Sequence, residues 1–470
     1  MSLHPGSACL RAPAPRPTKR PFGRVCGTVA VLAASALATG GCGSSNPAAS
    51  LPPTTEPYVL FAPVRSNVTY LMDLQGQLVH QWTSDAGPAC SVYLLEDGEL
   101  LRPKSLGQGS FPNGGCNGGR VELMDWDGHV TWSYDYIGVD HQQHHDVKRM
   151  PNGHILMIAW ETRTAAEALA AGRDPSTIPA DGTIWVDHVV EVDPATNTIA
   201  WIWRAWDHLL PPGVSPAAHP ELIDPNAATT SASDWTHANA VDYNPDLDQV
   251  MVSVRNFSEV WVIDHSTTTA QAAGHSGGKS GRGGDLLFRW GNPRNYGLSA
   301  PQQIFGQHNA HWIEPGLQGA GNVLLFDNGD QTARPYSTVV EFQPSGGGFG
   351  LPYGTDPQSG FLPDAPLWRY VANPPESLFA RIISSAQRLV SGNTLVCDGT
   401  GGRFLEVTTA GQTVWTYLVT DTNGGTAVST FRVTRYEAGF PGLSGQTLTP
   451  QGPVRVVLTP APAGRGEPPM

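Results

Sequence analysis

Three stretches of the sequence open on histidine and run into an apolar segment: HHDV at 144–147, THANAV at 236–241 and QHNAHW at 307–312. Each is followed by a turn and a returning apolar run. His144, His237 and His308 therefore read as equivalent positions of three repeats, with His145 one place off and able to take the role if the register slips. A neutral imidazole is a competent nucleophile near neutral pH. Asn239 follows His237 by two residues, which in a strand puts both on one face. Arg255 stands on the returning run VMVSVRNFSE. A cation there needs an anion, supplied by a ligand or by Glu259 or Asp242. Imidazoles, an amide and a guanidinium with few carboxylates suit an oxyanion such as a sulfuryl or phosphoryl group. They do not suit glycoside hydrolysis, which uses two opposed carboxylates. His80, His129, His154, His188, His208, His219, His265 and His275 fall in turns, outer strands or loops and read as structural.

The elements that must carry these residues repeat along the chain. One hairpin, an apolar strand, a turn and a strand with Trp near its end, recurs six times, with Trp82, Trp132, Trp203, Trp290, Trp368 and Trp415. A second hairpin lies between the copies, for example HHDVKRMPNGHILMIA and SSAQRLVSGNTLVC. Asp-Gly, Asn-Gly and Gly-Asn turns between alternating runs are strong hairpin signals. Two hairpins make a four-stranded unit of propeller-blade size. The expected fold is all-β, a six-bladed β-propeller with long loop insertions over residues 55–445. A C-terminal segment after about 427 completes a first blade that holds only its outer hairpin at the N-terminus. Innermost strands line the central channel, so the three histidine starts converge at one mouth. The stretch 163–182 reads as helical at its start.

Composition agrees. Gly 53 and Pro 41 with 14 Trp and only 15% charged residues exclude coiled coils and helical arrays. A net charge of −13 with no basic run beyond the N-terminus argues against a nucleic-acid partner. Residues 1–42 read as an export signal: a basic start, an apolar stretch from Val25 and a small-residue zone. This predicts a periplasmic or cell-envelope location. Cys42 resembles a bacterial lipoprotein acylation site, which would attach the chain to the membrane through lipid; simple cleavage near Gly41 is the alternative. A Pro/Ser-rich linker (43–54) follows, and residues 446–470 form a Pro/Gly-rich tail. Beyond the signal, Cys90 and Cys116 flank a Gly-rich loop and pair as a disulfide, leaving Cys397 as a buried thiol.

At HHDVKRMPNGHILMIAWE, DWTHANAVDYNPDLDQVMVSVRNFSEVWVIDHSTTT, GGDLLFRWGNP and QHNAHWIEPGLQGAGNVLLFDNG the chain resembles the bacterial arylsulfate sulfotransferases. The resemblance implies a six-bladed propeller. It also implies transfer of a sulfuryl group between small phenols by a ping-pong route through sulfohistidine, with neither cofactor nor nucleotide donor. It makes His308 the nucleophile, and sets His237, Asn239 and Arg255 on the sulfuryl oxygens. His144 or His145 matches the remaining channel histidine. The family's additional N-terminal β-domain has no counterpart between Cys42 and the first strand, so dimerisation through it is not expected. Two other readings stay open. One is a metal-dependent hydrolase or lyase using His144, His145, Asp146, His308 and His311. The other is a non-enzymatic envelope binding propeller.

Overall fold

The alternating runs fold as six four-stranded antiparallel sheets in a computed structural model. It describes residues 56–459 except 108, 113, 231, 349, 350, 423 and 424. The signal, Cys42, the whole linker (43–54) and residues 460–470 of the tail lie outside the described residues. Each sheet is one blade of a β-propeller. Blade two spans Tyr93–Asp135, blade three His141–Arg204, blade four Ala238–Trp290, blade five His308–Val371 and blade six Ser385–Leu418. The innermost strands of blades three to six and of blade one lie side by side in succession, and that of blade four, Ala238–Asn244, is largely buried. The outermost strands of blades two and six, Val130–Asp135 and Thr413–Leu418, alternate between exposed and half-buried residues.

Blade one closes the ring. Its innermost strand, Thr430–Tyr436, comes from the C-terminal part and pairs antiparallel with Tyr58–Pro63, with Tyr58 opposite Tyr436. The N-terminal part supplies three strands to this blade rather than an outer hairpin alone. The added strand, YVLFAP, is buried throughout, so it lacks the polar alternation that marks its neighbours. Part of the C-terminal tail also packs here: Gly452 accepts from Leu78 N–H, and Val456 is buried.

The six tryptophans have a common reason. Each lies on the fourth strand of its blade. Each indole Nε1–H reaches the connection between the third and fourth strands of the next blade. Trp82 donates to Asp125 O at 3.0 Å, Trp132 to Asn197 Oδ1 at 2.7 Å and Trp203 to Gly284 O at 2.7 Å. Trp290 donates to Pro363 O at 2.7 Å and Trp368 to Thr409 O at 2.9 Å. Trp415 completes the circle to Leu74 O of blade one at 2.9 Å. A large apolar ring with one donor can fill the gap between wedge-shaped blades and also satisfy a turn carbonyl.

Insertions decorate this frame. The short helix Ala165–Ala170 follows the second strand of blade three and begins at a capping box of Thr164 with Glu167. Blade five carries a small extra hairpin at residues 355–361.

Candidate active site

Histidines from three blades meet where the inner strands enter the channel. The backbone there departs from a regular strand. His145, His237 and Asn309 all have left-handed φ, at 53°, 53° and 56°. His237 thus shares its conformation with His145, whereas His144 and His308 each precede a left-handed residue. The expected equivalence of His144, His237 and His308 is therefore offset by one place. The ladder of blade four also bulges between Ala238 and Ala240. Strand alternation does not link His237 to Asn239: Asn239 is fully buried and His237 partly exposed.

The disulfide frames one side of the mouth. Cys90 and Cys116 are joined, with Cα atoms 5.4 Å apart. His145 N–H donates to Cys116 O at 3.1 Å, and His145 O accepts from Ser91 N–H at 3.2 Å. The bridge thus holds the backbone of a channel histidine from both sides. Cys397 is a buried free thiol, and burial pushes its pKa well up.

Hydrogen bonds fix which ring nitrogen is open on each imidazole. Asp187 accepts from Ala238 N–H at 2.7 Å, from the Thr236 hydroxyl and from His144 Nε2 at 2.7 Å. Burial opposes ionisation of this carboxyl, but these donors hold its pKa below the usual value. His144 Nε2 therefore carries the proton, and its Nδ1 accepts from His145 Nδ1 at 2.7 Å. His145 Nε2 is left with its lone pair. His237 Nδ1 donates to Asp234 Oδ2 at 2.5 Å, leaving its Nε2 open as well. The rings of His145 and His237 meet edge to face at 4.9 Å.

His308 is oriented by an amide instead of a carboxylate. Asn328 Nδ2 donates to the carbonyls of Ala380 and Ile383 at 2.7 and 2.9 Å, which fixes the amide. Its Oδ1 must then accept from His308 Nδ1–H, at 2.8 Å. The Nε2 lone pair of His308 accepts from Ile383 N–H at 3.2 Å. Burial, and then the nearby positive charge of Arg255, hold the His308 pKa down to about 3. Burial and the neighbouring His237 likewise push His145 well below its ordinary value. Phe431, on the innermost strand of blade one, packs 5.9 Å from His145 and 6.2 Å from His308.

Arg255 forms no ion pair among the described residues. Glu259 is taken by Arg289 and Asp242 by Lys148. Arg255 Nη1 donates to Asn256 Oδ1 at 3.0 Å, and the guanidinium forms a wall of a cavity of about 490 Å³. Gly329, Phe379, Arg381 and Ile382 also line this space. Gly329 and Ile382 adjoin Asn328 and Ile383, the two partners of His308. The cavity thus opens beside the partners of His308 and holds a cation with no ion pair among the described residues, which suits an anion, with the Asp330 carboxylate at another part of the wall.

Asn239 Nδ2 donates to Gln307 O at 2.7 Å and so steadies the residue before His308. Of the residues considered as metal ligands, Asp146 is bound by Arg432 and Tyr93, and His311 Nδ1 lies against its own strand at Asn309 O. Sequence reasoning missed Asp187, Asp234, Asn328, Ile383 and Arg381. Asp234, three residues before His237, was the only one with a local signal.

The sequence model of the family described as Arylsulfotransferase (ASST) matches residues 52–434. No curated protein matches the chain. Similar solved structures include a protein of unknown function from Bacteroides caccae, at 12% identity and TM-score 0.44, covering 81% of this chain and 98% of that one. Another is virginiamycin B lyase from Staphylococcus aureus, at 10% identity and TM-score 0.37, covering 78% and 85%. A streptogramin B lyase is similar at 10% identity and TM-score 0.38, covering 82% and 94%.

Proposed function

We infer that this chain, which belongs to the arylsulfotransferase family, transfers a sulfuryl group between phenols in two steps through a sulfohistidine on His308. Family membership makes it a sulfotransferase of small aryl substrates. The two-step route is supported chiefly by one observation. His308 is a buried imidazole whose Nδ1 proton is committed to Asn328, whose Nε2 lone pair is open to a single backbone N–H, and which stays unprotonated beside Arg255.

In the first step Nε2 of His308 bonds to sulfur as the S–O bond to the donor phenol breaks. The donor leaves as a phenolate, which takes its proton from water. Arg255 meets the sulfuryl oxygens, and the Ile383 N–H, released from Nε2, becomes a further donor beside the sulfur. Ile383 and Ser384 both have positive φ, 52° and 89°. A β-branched residue rarely adopts this conformation, which here turns the N–H toward the channel. In the second step an acceptor phenol loses its proton and attacks sulfur, returning the lone pair to Nε2. His145, backed by His144 and Asp187, and His237, backed by Asp234, present open Nε2 atoms as bases for that proton. Phe379 and Ile382 give the aryl ring an apolar wall.

We place this chemistry outside the cytoplasm, in the periplasm or cell envelope. The signal-like N-terminus and the Cys90–Cys116 bridge support that location. Cys42 is the proposed lipid attachment point.

The test is turnover of 4-nitrophenyl sulfate with and without phenol. Release of nitrophenolate should depend on acceptor, with parallel double-reciprocal lines. His308→Ala should lower kcat by about 10³-fold or more, and Arg255→Ala should act mainly on kcat/KM. Acceptor-independent hydrolysis surviving in His308→Ala would overturn the route.

A further inference from the structure

Away from the channel, the insertions that follow blade three and interrupt blade four meet at a cluster that sulfotransfer does not use. His208 ends the turn Ala205–His208 after the outermost strand of blade three. His275 and Asp285 lie in the Gly-rich connection between the third and fourth strands of blade four. Asp285 Oδ1 is 2.9 Å from His208 Nδ1 and 2.7 Å from His275 Nδ1. All three atoms lie within 4.8 Å of one another. His208 and Asp285 are buried, while His275 faces solvent.

The surroundings of His208 fix which ring nitrogen carries a proton. Its Nε2 lies 2.8 Å from the carbonyl oxygen of Ala272, which can only accept, so Nε2 carries a proton. The Trp203 ring stacks on the imidazole with centroids 5.8 Å apart. Gly284 crosses so close that a Cβ there would come within 2.5 Å of Nε2. The ring is thus locked with Nδ1 aimed at a carboxylate oxygen. A neutral His208 would set its lone pair against that oxygen, which is repulsive unless a cation lies between them. A backbone carbonyl on the remote N–H is the usual support of a metal-binding histidine. A second imidazole directed at the same oxygen supplies a third donor, and the exposed side leaves room for solvent.

We propose that His208, His275 and Asp285 bind a divalent ion of the zinc class, with water completing the shell, and so clamp the turn after blade three to the insertion of blade four. Two imidazole nitrogens and a carboxylate oxygen suit that ion. To reach metal bonds of about 2.0–2.1 Å, the ligand atoms need part only by about half an ångström. Trp203 donates to Gly284 O, next to Asp285, so the ion would reinforce a contact between the two blades.

The experiment uses untagged protein stripped with EDTA and dialysed. Cobalt(II) added to it should bind at one equivalent with the visible absorption of a low-symmetry four-coordinate ion, displaced by zinc. Saturating zinc should raise the melting midpoint by about 2–5 °C. His275→Ala, at an exposed position, should fold, melt like the stripped protein and lose both responses. Asp285→Asn should lose the cobalt spectrum too. Aryl sulfotransfer should be unchanged by stripping and by His275→Ala, so the clamp can fail without bearing on the reaction. The absence of both the cobalt spectrum and the zinc shift would overturn the proposal and leave the three residues as a hydrogen-bonded cluster. A spectrum that survived in His275→Ala but vanished in His308→Ala would overturn it too, by putting the ion in the channel.

Discussion

Among the channel imidazoles, the partner on Nδ1 separates the roles. His237 and the His145–His144 pair end on carboxylates, although burial still opposes a proton on His144 and His145. His308 ends on the neutral amide of Asn328 and faces Arg255, which disfavours one. Asn328 is accordingly a positioning residue. Asn328→Ala should lower kcat by about 10- to 100-fold by freeing the His308 ring. Asn328→Asp keeps the acceptor and adds a negative charge. It should raise the His308 pKa and move the acid limb of kcat/KM to higher pH, which a merely structural change would not do. An unmoved limb would remove Asn328 from the argument. His308 and His237 were legible because they recur at the starts of repeats. Asn328 was not, because it lies 20 residues from His308 and acts through an amide locked by two distant carbonyls. His208 was read as structural because nothing local in the sequence announces its approach to Asp285, 77 residues away.

Among the elements, the six Trp-bearing hairpins could be counted from the sequence, but their purpose could not. Each indole bonds to a neighbouring blade, and such contacts leave no short-range pattern. Trp415 seals the last blade against the first through a part-buried carbonyl, whereas Trp132 donates to an exposed side chain. Trp415→Phe should cost about 1 kcal/mol in urea unfolding, and Trp132→Phe less than about 0.5 kcal/mol, because water replaces the lost partner there. Equal costs would mean that ring volume, not the hydrogen bond, joins the blades. The strand Tyr58–Pro63 escaped notice for the opposite reason: buried on both faces, it lacks alternation. At the channel mouth, left-handed residues and bulges break the period of two, so the alignment of the histidines slipped by one.

For the whole molecule, gathering neutral imidazoles in one interior couples function to stability. Burial lowers His308 and His188 to about 3 and also lowers His145, and His144 despite Asp187. Below their ordinary value of 6.5 the unfolded chain takes up protons that the folded one refuses. Their contribution is therefore complete above about pH 6.5 and drains as pH falls toward 3. His265 acts the other way. Although burial opposes it, Glu191 and Asp248 raise its pKa, so its contribution is full at low pH and lost as pH rises. His80 and His311 are lowered by burial as well, making six imidazoles against His265 and the buried carboxyls of Asp146, Glu161 and Glu259, whose raised pKa values oppose them; the balance predicts that the melting midpoint falls from pH 7 to pH 4. A flat profile over that span would mean that the channel histidines are already protonated in the native state. The most direct measurement of the central claim is the mass of the protein after mixing with 4-nitrophenyl sulfate and no acceptor, followed by peptide mapping. The account predicts a single sulfuryl adduct, carried on His308, stable at alkaline pH and discharged by phenol. An adduct on His237 or His145, or nitrophenolate release with no adduct, would contradict it.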